Sequence, residues 1–170
     1  MPEIHTEIGI NASPEKVWNI LTDFSAFPEW NTFIPSAEGE LEEGAQLNIV
    51  VRPMGGKGMT IKPTVLKVDE NRELRWRGAL LLNGLFSGEH SFIIQGVSEG
   101  KVRFMHSESF KGVLAPLMWP IMRKATRRGF EAMNEALRDR AEGKAPSADS
   151  PPEKPQSSSE EPPTETETPS

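Results

Sequence analysis

The chain has 170 residues, a formal net charge of −6 and no cysteine. The missing cysteine excludes disulfides, thiolate catalysis and cysteine-based metal sites. A mildly acidic balance gives no overall electrostatic reason to seek nucleic acid or anionic lipid, and no apolar run approaches membrane-spanning length.

The opening Met-Pro-Glu-Ile-His-Thr-Glu lacks the basic and apolar regions of a signal peptide, so a soluble, cytoplasmic protein is expected. From Glu3 to Ile10, Ile4, Thr6, Ile8 and Ile10 alternate with His5, Glu7 and Gly9, which predicts a half-buried strand. Ser13 is a suitable helix cap, with Pro14 at the first helical position and Glu15 in the first turn. Val17, Trp18, Leu21 and Phe24 follow at helical spacing, predicting a short helix to about Asp23. Phe27-Pro28-Glu29-Trp30-Asn31 predicts a second helical piece or tight corner, ended by Pro35.

Strands are then predicted over Gln46–Pro53, Met59–Val68, Glu73–Leu82, Leu85–Gly96 and Lys101–Phe110. Their separators are the Gly55-Gly56 turn, Asp69-Glu70-Asn71, the hairpin signal Asn83-Gly84, and Val97–Gly100. Pro63 is unwelcome in a central strand, so its segment is expected at an edge or with a bulge. Gly55-Gly56-Lys57-Gly58 lacks the strand–loop–helix setting of a phosphate loop and reads as a glycine hairpin.

The last predicted element is a helix from about Leu114 to Glu142. Its apolar stripe is read as Leu114, Leu117, Met118, Ile121, Met122, Ala125, Gly129, Phe130, Met133, Ala136 and Leu137. Arg123, Lys124, Arg127, Arg128, Glu131, Glu135 and Arg138 form the opposite, solvated face. Pro116 suits the first turn, and Pro120 predicts either a kink or the true start of the helix. Gly129 costs about 1 kcal/mol against alanine in mid-helix, which predicts close approach of another backbone. Beyond it, 143–170 is rich in Pro, Ser, Thr and Glu, with two lysines against six acids, and is expected to be disordered. The folded part is then one domain, 1–142, with a single sheet covered by the long helix.

Val17-Trp18-Asn19-Ile20-Leu21-Thr22-Asp23-Phe24 and Phe27-Pro28-Glu29-Trp30-Asn31 resemble the opening of START-like (SRPBCC) helix-grip proteins, in their polyketide cyclase/dehydrase-like branch. Gly88–Phe92, Glu108–Gly112 and Arg127–Asn134 are similar to the same branch. The resemblance covers about Glu3 to Glu142. It implies an α+β helix-grip fold, a curved antiparallel sheet around the C-terminal helix, and an apolar cavity between them. Lipid carriers, hormone binders, aromatase/cyclases and co-chaperones share that fold, so it does not decide among those functions.

The chemistry-bearing candidates lie on the last hairpin. Phe86, Gly88, His90, Phe92 and Ile94 share one strand face, and Phe104, His106, Glu108 and Phe110 share another. Pairing Gly96 with Val102 places Ile94 opposite Phe104, Phe92 opposite His106 and His90 opposite Glu108. A two-residue slip places His90 opposite His106 instead. A carboxyl beside an imidazole in an apolar wall anchors a ligand, works as acid and base, or forms a structural pair. Trp18, Trp30 and Trp76 either line a pocket or plug the core. The candidate ligand-lining set is Trp18, Trp30, Asn31, Trp76, His90, Phe92, His106, Glu108, Phe110, Leu117 and Ile121, with His90 and Glu108 catalytic if the protein is an enzyme. His5, His90 and His106 match no zinc-ligand spacing, no Ser–His–Asp elbow is present, and no metal or cofactor is expected.

The leading expectation is binding of a small hydrophobic molecule: a lipid, isoprenoid or polyketide-like compound. A cyclase/dehydrase-type enzyme and a co-chaperone-like module working through the outer sheet surface are the alternatives. Neither a nucleic-acid partner nor stable membrane insertion is expected, and a monomer is favoured.

Overall fold

A computed structural model describes residues 2–53, 56–79 and 85–144. The Asn83-Gly84 turn, Gly55 of the glycine hairpin and residues 145–170 of the acidic segment lie outside the described residues. Strand β1 spans Glu3–Ile10, helix α1 Pro14–Thr22, and α2 Phe27–Trp30 after a single 3₁₀ turn. Strands β2 (Ser36–Glu38), β3 (Asn48–Val51), β4 (Met59–Ile61), β5 (Thr64–Asp69), β6 (Glu73–Ala79), β7 (Ser87–Ser98) and β8 (Lys101–Lys111) follow, then helix α3 (Ala115–Glu142).

Among the described residues the single expected sheet divides into two. Five antiparallel strands run in the order β1-β8-β7-β6-β5, and β2-β3-β4 form a smaller antiparallel sheet. Strand β2 had no signal of its own, being three residues long. Pro63 divides the predicted Met59–Val68 strand into β4 and β5, because it cannot donate to a ladder. β5 is an edge strand with a register shift between Val65 and Lys67, as a proline-bearing segment should be. Backbone bonds from Leu47 to Pro63 (2.9 Å) and from Val65 to Ala45 (2.8 Å) tie the small sheet to the large one.

Ser13 caps α1 by accepting from the Lys16 N–H at 3.2 Å, and Val17, Trp18 and Leu21 are buried beneath that helix. Helix α3 runs unbroken through Pro120 and ends at Gly143, whose φ of 70° is the left-handed cap that glycine adopts most easily. Its far end is fixed to the N-terminal segments: Glu142 accepts from the Asn11 N–H at 2.8 Å, and Arg140 pairs with Glu29 at 2.7 Å.

Two expectations about α3 need correction. Gly129 makes room for a ring, not a backbone: a Cβ there would collide with Phe33. Leu117 and Ile121, placed in the buried stripe, are 68% and 74% exposed. At about 100° per residue they lie roughly 140° and 180° around the helix from Phe130, so successive three- and four-residue steps had drifted to the opposite face. The buried stripe is instead Ala115, Thr126, Gly129, Phe130, Met133, Asn134, Leu137 and Ala141, with Trp119 and Met122 half-buried. Leu114, Met118, Ala125 and Ala136 are half-buried as well.

Candidate functional site

The register of the last hairpin is the one obtained by pairing Gly96 with Val102: Ile94↔Phe104, Phe92↔His106 and His90↔Glu108. β1 lies on the other side of β8, placing Thr6 opposite His106. Helix α3 brings Phe130 and Asn134 down onto this surface. Sequence separations of 100 or more are thereby closed by two strand pairings and one helix docking.

The outcome is a directed chain of buried hydrogen bonds. The Thr6 hydroxyl lies 3.2 Å from the His106 backbone oxygen. A carbonyl can only accept, so the hydroxyl donates there and its oxygen accepts from the Asn134 amide, 3.0 Å away. The Asn134 carbonyl, thus oriented, accepts from His106 Nδ1 at 2.9 Å. With its proton on Nδ1, His106 offers the lone pair of Nε2 to His90 Nε2 at 2.6 Å. His90 therefore carries its hydrogen on Nε2, and its Nδ1 is a fixed acceptor.

That acceptor faces Glu108, whose Oε2 is 3.9 Å from His90 Nδ1, beyond direct hydrogen bonding. The Glu108 side chain folds over Gly88, where any Cβ would collide with it. Burial pushes the Glu108 carboxyl up to about 8, so it is largely neutral at pH 7. Burial holds His90 well below the ordinary imidazole range, with proximity of His106 adding to the effect. Burial brings His106 down to about 3, against the opposing effect of the hydrogen bond it donates to Asn134. The whole array is uncharged near neutrality, as an apolar setting demands.

That setting is a tight aromatic cluster. His106 stacks on Phe130 with centroids 3.7 Å apart, and Phe33 meets Phe130 edge-on at 5.2 Å. Trp76 and Phe92 flank His90 at 5.4 and 4.6 Å. These rings pack together between the sheet and the second half of α3. Toward the first half of α3, Phe110 stacks on Phe86 at 5.6 Å and meets Trp119 at 6.0 Å. A surface hollow of about 720 Å³ lies at the β5–β6 and β7–β8 turns, away from the histidines. Another, of about 330 Å³ between β1 and α3, borders Thr6 and Asn134.

Of the candidate residues, Trp76, His90, Phe92, His106, Glu108 and Phe110 share this face. Trp18, Trp30 and Asn31 are buried but make no ring or hydrogen-bond contact with the histidines among the described residues. Asn31 accepts from the Ile34 N–H at 2.8 Å and so shapes its corner, while its amide nitrogen and the Trp30 indole N–H are buried without partners in the described structure. Leu117 and Ile121 face outward. Thr6, Phe33, Phe130 and Asn134 were missed as site residues. Two carried a signal: Thr6 falls on the inward alternation of its strand, and Asn134 lies four residues after Phe130 on the buried stripe.

These features define an α+β helix-grip domain with a buried polar chain between the sheet and α3. The family model described as polyketide cyclase/dehydrase and lipid transport matches residues 1–142, and the chain belongs to that family. Among solved structures, it is similar to a START superfamily protein from Mycobacterium smegmatis, with 21% identity, a TM-score of 0.66, and coverage of 83% of this chain and 97% of that one. A protein from Thermus thermophilus is 21% identical with a TM-score of 0.65, over 84% and 98% of the two chains. The Zhui aromatase/cyclase of a Streptomyces species is 14% identical with a TM-score of 0.67, over 82% and 93%. No curated protein matches the chain significantly.

Proposed function

We propose that this protein binds a small hydrophobic molecule, of the lipid, isoprenoid or polyketide kind, between the sheet and the first half of α3. The molecule's polar end is a hydroxyl held by His90 and Glu108. The observation that carries this reading is the fixed acceptor of His90 Nδ1, 3.9 Å from a neutral carboxyl. An oxygen about 2.8 Å from each atom subtends roughly 90° between them, which a hydroxyl accommodates. It donates to His90 and accepts from the Glu108 O–H. A ketone or aldehyde oxygen has no hydrogen for His90, leaving that buried lone pair unpartnered. Phe86, Phe110 and Trp119 supply apolar walls nearby.

One feature also supports an enzymatic use of the same end. A neutral imidazole beside a protonated carboxyl is a base–acid pair that a cyclisation or dehydration requires. Glu108→Gln separates the two uses. Glutamine keeps a donor and an acceptor in the same shape, so a carrier retains its affinity, whereas an enzyme loses turnover by about 10²–10⁴-fold.

Native mass spectrometry of the purified full chain is expected to show a retained apolar molecule. Calorimetric titration with farnesol and with its aldehyde is expected to favour the alcohol, and Glu108→Leu to weaken alcohol binding by about 1–3 kcal/mol. Equal affinity for alcohol and aldehyde, unchanged in Glu108→Leu, rejects the assignment.

A further inference from the structure

The chain-wide charge of −6 hides a local reversal. From Ser109 to Phe130 there are five cationic residues and no acidic one. The same stretch carries three large exposed apolar side chains: Val113 at 75%, Leu117 at 68% and Ile121 at 74%. On α3, Leu117, Ile121, Lys124 and Arg128 fall at i, i+4, i+7 and i+11, hence along one outward side of the helix. Trp119, half-buried against Phe110, holds that side away from the core.

We propose that this face docks on a lipid bilayer bearing anionic headgroups. Leu117 and Ile121, with Val113 just before the helix, enter the headgroup–acyl boundary. Lys124 and Arg128 meet the phosphates about 10 Å further along the axis, the depth over which an interfacial helix changes from apolar to charged surroundings. Charge complementarity selects an anionic surface over a neutral one. Among the described residues no helix is long and apolar enough to cross a membrane, so docking is at the surface. It places the lipid beside the Phe110–Trp119 contact, the end of the fold where Glu108 lies, although it does not depend on the ligand proposal.

The test is flotation of the full chain with phosphatidylcholine vesicles, with and without about a third phosphatidylglycerol. Binding is expected only with the anionic lipid. Leu117→Ser with Ile121→Ser is expected to lower the bound fraction about tenfold, and Lys124→Glu with Arg128→Glu to remove the lipid preference. All four residues are exposed, so melting temperatures should match the parent and report intact folds. Failure to bind anionic vesicles, or equal binding by the serine variant, overturns the proposal. A parent dimer that the serine variant splits, without vesicle binding, assigns the face to contact between copies instead.

Discussion

Phe130→Ala is expected to lower the unfolding free energy by about 3–5 kcal/mol, the range for deleting a fully buried aromatic side chain. The ring is completely buried, stacked on His106 and edge-on to Phe33. Removing it takes away the lid of the histidine chain and the surface against which Gly129 admits Phe33. Arg127→Ala is the control. Its exposed i,i+4 pair with Glu131 at 3.0 Å should matter by under about 0.5 kcal/mol. Denaturant titration of both variants measures the difference, and similar losses would contradict the assigned face of α3.

The second large effect is on pH. Glu108 is raised from an ordinary 4.5 to about 8, so between those values the unfolded chain has released a proton that the folded chain keeps. Stability therefore falls as pH rises from about 4.5 toward 8, by about 1.4 kcal/mol per unit where the shift is fully expressed. The histidines act oppositely. Both are held below 6.5, so below that value the unfolded chain takes up protons that the folded chain refuses, and stability falls as pH falls. Two groups oppose one below 6.5, whereas Glu108 acts alone above it. The three together give a stability maximum near pH 6.5. Glu108→Gln is expected to remove the decline between pH 6.5 and 8 and to steepen the acid limb, which Glu108 otherwise opposes. Melting curves across pH 4–9 measure this, and an unchanged alkaline limb would place the Glu108 carboxyl in water.

How much of this was legible in the sequence follows from the range of each interaction. The alternation in Glu3–Ile10 and in the last hairpin is a local pattern of period two, but the sequence left two registers open, and the structure selects the one that pairs Gly96 with Val102. Pro63 carried its own reason for an edge. Helical phase was legible but misread at Leu117 and Ile121. Each step between neighbours was sound, yet the accumulated rotation carried the stripe to the other side of α3. The Thr6–Asn134–His106 link was hidden for a different reason. It joins residues 128 and 28 positions apart, and only the docking of α3 over β1 and β8 brings them together. The strand register alone suggested a His90–Glu108 contact, since those Cα atoms are partners. Diagonal reach within the sheet gives His90 to His106 instead, and leaves Glu108 separated by a gap suited to one oxygen.

The claim that rests on the most structure is the fixed direction of the chain, from the His106 carbonyl through Thr6, Asn134 and His106 to His90. Nitrogen-15 NMR of the two buried imidazoles in the full chain, followed between pH 5 and 9, tests it directly. Two neutral rings are expected throughout, with the His106 proton on Nδ1 and the His90 proton on Nε2. A ring that titrates near 6.5, or a His90 proton on Nδ1, would contradict it and remove the acceptor on which the proposed ligand hydroxyl depends.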